Sequence, residues 1–158
     1  PVVVVVLVAE GHPVAGKSLL NREDETRIVV AIRAAEQVTS GELVLHVEEA
    51  WTGDPYERAV YWFHKLKLDQ TKHRNGVLIL LIEKQRRFAV VGDEGIHQVV
   101  GQDFWKEASG ILEKYFRDGE FAQGLCLAIG FIGDALHKAF PYNRGNDQNE
   151  LSDQISHS

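Results

Sequence analysis

Gly76 to Ile82 reads GVLILLI, an apolar run with polar segments on both sides. So short and continuous a run suits a central strand covered on both faces. That demand constrains the chain more than any other feature, because layers must pack above and below it. After the short turn EKQR, RFAVV at Arg87 to Val91 supplies a second strand, and the two should form an antiparallel hairpin.

Upstream, Glu42 to Glu48 alternates, with Leu43, Leu45 and Val47 on one face and Val44, His46 and Glu48 on the other, the pattern of a strand. Between it and the central run, Asp54-Pro55 reads as N-cap and first helical residue, opening a helix through Ala59, Phe63 and Leu66. A helix joining two strands makes a crossover, so these strands should be parallel. From Arg22 to Val38, Ile28, Ile32 and Ala35 recur at helical spacing. Asn21 is placed to cap that helix, with Asp24 where a capping-box acid belongs.

GDEG at Gly92 to Gly95 should end the hairpin and lead into a short helix, IHQVV. Asp103 is placed to cap the next helix, with an inner face of Phe104, Ala108, Ile111, Leu112 and Tyr115. Glu120 to Ala139 reads as a buried core helix in which Gly124, Gly130 and Gly133 allow close approach of its neighbours. The polar tail, residues 143–158, should be irregular. The expectation is an α/β (α+β) domain: a small mixed sheet of three to five strands with helices on its faces, a three-layer sandwich.

A chain of 158 residues, 44% apolar and 25% charged, has room for one domain with a core. Its net charge of −6 and pI near 5.6 argue against a nucleic-acid partner, which calls for a basic face, and suit cations better. The single Cys126 lies in an apolar run and cannot form an internal disulfide; an inert buried thiol is expected. The valine-rich run at residues 2–9 is too short to span a bilayer, so no intact membrane span is expected. It reads as the stump of a signal or anchor, an upstream tract, or an added edge strand. We expect a cytoplasmic protein, or an exported or membrane-associated one if residues 1–8 are the remnant of an anchor.

Gly11 to Ser18, GHPVAGKS, fits the phosphate-loop pattern G-x-x-x-x-G-K-[ST] letter for letter. A nucleotide hydrolase also needs a second strand ending in an acid for Mg²⁺, on a parallel sheet. The nearest candidate ends at Glu83 and belongs to the hairpin, so no bound nucleotide or other organic cofactor is expected.

From about residue 19 onward the chain resembles the TPM domain family, in the form of its short bacterial members. The matching pieces are RI..AI..AE..TSGE from Arg27 to Glu42, RNGVLI from Arg74, RRFAVVGDEGI from Arg86, and FW at Phe104-Trp105. They continue with F..G...GL from Phe116, FPY at Phe140 to Tyr142 and NEL.D.IS from Asn149. The resemblance sets residues 1–18 apart as a leader or strand extension and makes 19–142 the domain. It implies metal binding, and weak acid phosphatase activity in a photosynthetic branch related to thylakoid lumen phosphatases, where the family serves photosystem II repair. Other branches look like accessory or assembly factors for membrane complexes. Longer members carry an acid directly before the Asn-Gly of the central strand, where this chain has Arg74.

The expected topology gathers chemistry at one edge. Parallel strands starting at Glu42 and Gly76, with the hairpin returning, bring Gly92 to Gly95 beside Thr39 to Glu42 and the loop holding Asp69, Arg74 and Asn75. Glu42, Asp93 and Glu94, joined by Asp103, then form an acidic rim suited to Ca²⁺ or Mg²⁺. Three of them have a structural alternative: Asp93 shapes a turn, Glu42 caps or pairs with Arg74, and Asp103 caps its helix. His64 and His73 lack ligand spacing, and His46 is expected to be packed or hydrogen-bonded. Ser40 has no His and Asp nearby in sequence to suggest a triad. Trp51, Trp62 and Trp105 suit core anchoring, although Trp51 lies in a loop that could mark a partner surface. The leading functional reading is an accessory module with a divalent-cation site on the rim and a surface that docks a protein partner. The alternative is a metal-dependent acid phosphatase in which Glu42 and Asp93 ligate metal, Asp103 assists and Arg74 binds phosphate. A nucleotide-binding protein is third.

Overall fold

The structure is a computed structural model that describes residues 2–7, 19–142 and 155–158. The phosphate-loop match at residues 11–18 lies outside the described residues. Five strands make one sheet: β1 (Val2–Leu7), β2 (Glu42–Glu48), β3 (Gly76–Ile82), β4 (Arg87–Asp93) and β5 (Ser156–His157), in the spatial order β1-β4-β3-β2-β5. The apolar run is the middle strand, and all its residues are buried. β2 and β3 pair in parallel from Glu42–Gly76 to Glu48–Ile82, and β3 and β4 form the antiparallel hairpin. β1 runs antiparallel along β4, and β5 lies parallel to β2.

The helices are α1 (Arg22–Glu36), α2 (Pro55–Lys65), α3 (Glu94–Val100), α4 (Gln102–Arg117) and α5 (Phe121–Ala139). Strand alternation decides which layer each packs on. Leu43, Leu45, Val47, Val77, Ile79, Leu81, Phe88 and Val90 share a core with α1, α3, α4 and α5. Val44, Leu78, Leu80, Ile82, Ala89 and Val91 face the opposite way, onto Ala59 and Phe63 of α2. The sandwich is three layers deep.

α1 begins with the expected capping box: Asn21 Oδ1 accepts from Asp24 N at 2.7 Å and Asp24 Oδ2 from Asn21 N at 3.0 Å. Asp54 caps α2 ahead of Pro55, accepting from Tyr56 N at 3.0 Å. Other expectations need correction. α4 starts at Gln102 from a Gly101 cap with φ 78°, so Asp103 stands inside the first turn and caps nothing. The buried face of α4 is Trp105, Ala108, Ser109, Leu112 and Phe116, rotated from the expected one because Trp105 is the anchor. Its indole lies against Gly92, where a Cβ would come within 2.2 Å of the ring. In α5, Gly124 and Gly133 do admit neighbours, meeting Tyr115 and Ala35, whereas nothing lies within 4 Å of a Cβ at Gly130. β4 runs on to Asp93, and α3 begins at Glu94 instead of Ile96. The tail was expected to be irregular, yet Ser156–His157 forms β5. Among the described residues no helix is long and apolar enough to cross a membrane.

Candidate functional site

The rim forms at the end of the sheet where β2 and β3 begin and β4 ends. Arg74 sits in the left-handed region at φ 52°, and its carbonyl accepts from Ile96 N at 3.2 Å. Gly95 makes this approach possible, since a Cβ there would come within 2.1 Å of the His73 carbonyl oxygen and 2.6 Å of that of Arg74. The loop and the start of α3 are thus pressed backbone to backbone.

That contact aims Arg74 at Asp93. Arg74 Nε donates to Asp93 Oδ2 at 2.8 Å and Nη2 to Oδ1 at 3.0 Å, while Glu94 N also donates to Oδ1 at 2.7 Å. Asp93 is fully buried and Arg74 is 43% exposed at its side chain. A bidentate guanidinium is the strong form of such a pair. Its hydrogen bonds and the charge of Asp93 raise the already high pKa of Arg74 further. Asn75 beside it is buried, donating from Nδ2 to Ser40 Oγ at a long 3.4 Å, and its Oδ1 has no hydrogen-bond partner.

The four predicted acids are divided. Glu42 is buried at the start of β2, one strand removed from β4, so the register sets its Cα about 10 Å from that of Asp93 across β3. Glu94 is half-buried in the first turn of α3. Asp103 is exposed on α4, whose contacts lie on the opposite face of the sheet from Glu42. Among the described residues no three His, Cys, Asp or Glu side chains come together closely enough to hold a metal ion. The Asp93 carboxylate, the best-placed oxygen donor, already has both oxygens engaged by Arg74. At the rim as folded, the charge that faces the Asp93 carboxylate is that of Arg74.

A second polar cluster lies at the other end of β2, and sequence reading singled out only part of it. His46 is buried at 0% exposure, packed on the Trp62 ring with centroids 4.0 Å apart, and neither ring nitrogen has a hydrogen-bond partner. Burial lowers its pKa to about 4; the Glu48 charge opposes that shift, while His157 and Arg58 add to it. Arg58 donates to Glu48 from Nε at 2.7 Å and from Nη2 at 2.5 Å, and Trp62 Nε1 donates at 3.2 Å. Burial pushes the Glu48 carboxyl up, but the bonds and charge of Arg58, with those from Trp62 and Ser158, outweigh it and leave it lowered. The guanidinium also stacks over the Trp51 ring at 4.2 Å. The available signal was the alternation of β2, which sets His46 and Glu48 on the face that α2 covers, with Arg58 and Trp62 four residues apart on α2.

The sequence matches the TPM domain over residues 14–135, and the chain belongs to that family. Among solved structures it is similar to the NMR structure of the BA42 protein from the psychrophilic bacterium Bizionia argentinensis, at 41% identity and a TM-score of 0.82. The match covers 90% of this chain and 98% of that one. No curated protein matches.

Proposed function

We propose that this chain is a non-catalytic TPM binding module that docks a protein partner, with Arg74 serving at the rim as a built-in cation. The observation that carries the reading is the bidentate clamp of Arg74 on the fully buried Asp93. In longer family members an acid precedes the Asn-Gly of the central strand. Here that position carries a positive charge, which neutralises Asp93 as a bound metal would and engages the oxygens a metal would need. A phosphatase reading would have Asp93 ligate metal and leave Arg74 free for phosphate, and the clamp takes both groups out of those roles.

Calorimetric titration of the full chain with Ca²⁺ and then Mg²⁺, followed by an aryl-phosphate assay, tests this. The expected result is no saturable binding and no metal-dependent turnover. In Arg74→Asp, which restores an acid and suits the left-handed backbone, divalent binding should appear. Metal-dependent turnover by the unmodified chain that is lost in Asp93→Asn would overturn the proposal in favour of the phosphatase.

A further inference from the structure

α5 lies between α1 and α4 and carries an exposed stripe. Leu127, Gly130 and Asp134 recur on it at helical spacing; Leu127 is 40% exposed, and open space stands where a Gly130 side chain would be. α1 runs alongside in register, from Arg27 Nη2 donating to Gln123 Oε1 at 2.7 Å to Ala35 set against Gly133. Val30, 61% exposed, and Ala34 therefore widen the apolar surface on that side. Single exposed apolar residues are ordinary, whereas a continuous patch rimmed by polar groups marks an interface. We propose that this face pairs two copies of the chain, with α5 packed antiparallel on α5 of the second copy about a two-fold axis level with Ala128 and Ile129. The pairing goes beyond the partner-docking role and does not rest on it.

One register satisfies shape and charge together. Positions equally far from the axis meet, so Leu127 faces Gly130 of the second copy, a projecting side chain opposite the gap left by a missing one. Beyond that apolar centre, Asp134 falls opposite Gln123 of the second copy and the Arg27 guanidinium bonded to it. That bond leaves the other Arg27 donors for a carboxylate. Lys138 falls opposite Gly119 and Glu120 of the second copy, and Glu120 is exposed and makes no capping bond to α5. Asp134 and Lys138 also pair with each other at 3.1 Å, an exposed contact too weak to withhold either from a partner. The two-fold repeats both opposed pairs. A parallel arrangement would instead set Asp134 against Asp134 and Arg27 against Arg27, so charge selects the antiparallel one. A second copy is the occupant this surface fits because the surface is its own complement.

Sedimentation velocity on the full chain tests the proposal. A contact of one helix and its flanks is small against the roughly 1,600 Å² of a standard interface, so the passage from monomer to dimer should fall at about 10–100 µM. Leu127→Glu places a charge at the apolar centre and should weaken dimerisation by about tenfold or more. Arg27→Glu and Asp134→Lys should each weaken it several-fold, and the two together should restore it, because the pair re-forms with its signs exchanged. All three positions are on the surface, so the variants should keep the thermal melt of the unmodified chain to within a few degrees. A monomer at every concentration up to about 1 mM overturns the proposal and leaves the face to a different protein. So does a dimer that Leu127→Glu leaves unchanged, which would place the contact elsewhere. A double charge variant as weak as the single ones overturns the antiparallel pairing.

Discussion

His46 and Glu48 show how differently two polar residues on one strand can be treated. Glu48 is bonded by Arg58, Trp62 and Ser158, whereas the buried His46 ring makes no hydrogen bond. A buried base refuses a proton that the unfolded chain accepts, so the unfolded state binds more protons between pH 6.5 and about 4. Stability due to His46 is then full above pH 6.5 and is lost as the pH falls through that window, by at most about 3 kcal/mol. His46→Leu should retain more of its neutral-pH stability on acidification to pH 4.5, read from urea midpoints. An equal loss in both proteins would show that other groups drive it. Arg58→Leu leaves the Glu48 carboxylate, 7% exposed at its side chain, without its main partner and should cost about 2–4 kcal/mol. The exposed Lys84–Glu49 pair is a control, and Lys84→Ala should cost less than about 0.5 kcal/mol.

At the scale of elements, the glycines of two helices make opposite forecasts. Gly130 is exposed inside α5 with nothing near its missing Cβ, so Gly130→Ala should stabilise by about 0.5–1 kcal/mol through helix propensity. Gly95→Ala drives a methyl into two carbonyls of the Arg74 loop. Backbone cannot yield as a side chain does, and a loss of about 2 kcal/mol or more is expected in thermal melts. The elements themselves were legible because their signals are local: the apolar run of β3, the capping box of α1, the Asp-Pro start of α2. The face of α4 was misread by the rotation from Phe104 to Trp105, since periodicity alone cannot say which aromatic meets Gly92 across the sheet. At the rim, topology correctly brought Arg74 and Asp93 together. Their pairing, like that of Arg58 with Glu48, depends on tertiary aim that spacing does not encode.

For the whole molecule, the sheet order makes a gradient of protection. β3 is buried along its full length and flanked on both sides, whereas, among the described residues, β5 pairs with two residues of the β2 edge. Native-state amide exchange should therefore be slowest at Leu78 to Leu81 and fastest among the strands at Ser156 and His157. Protection at His157 matching that of Leu80 would show that β5 opens only with the global fold.

The outer strands come from distant parts of the chain. The β2-β3-β4 core is contiguous in sequence, yet the strand described on its β2 flank comes from Ser156–His157. At translation rates of about 5–20 residues per second, a nascent chain leaves that flank open for several seconds after Asp93 has been made. A chaperone or a partner acting during synthesis meets a bare strand there before the protein's own tail exists to compete for it.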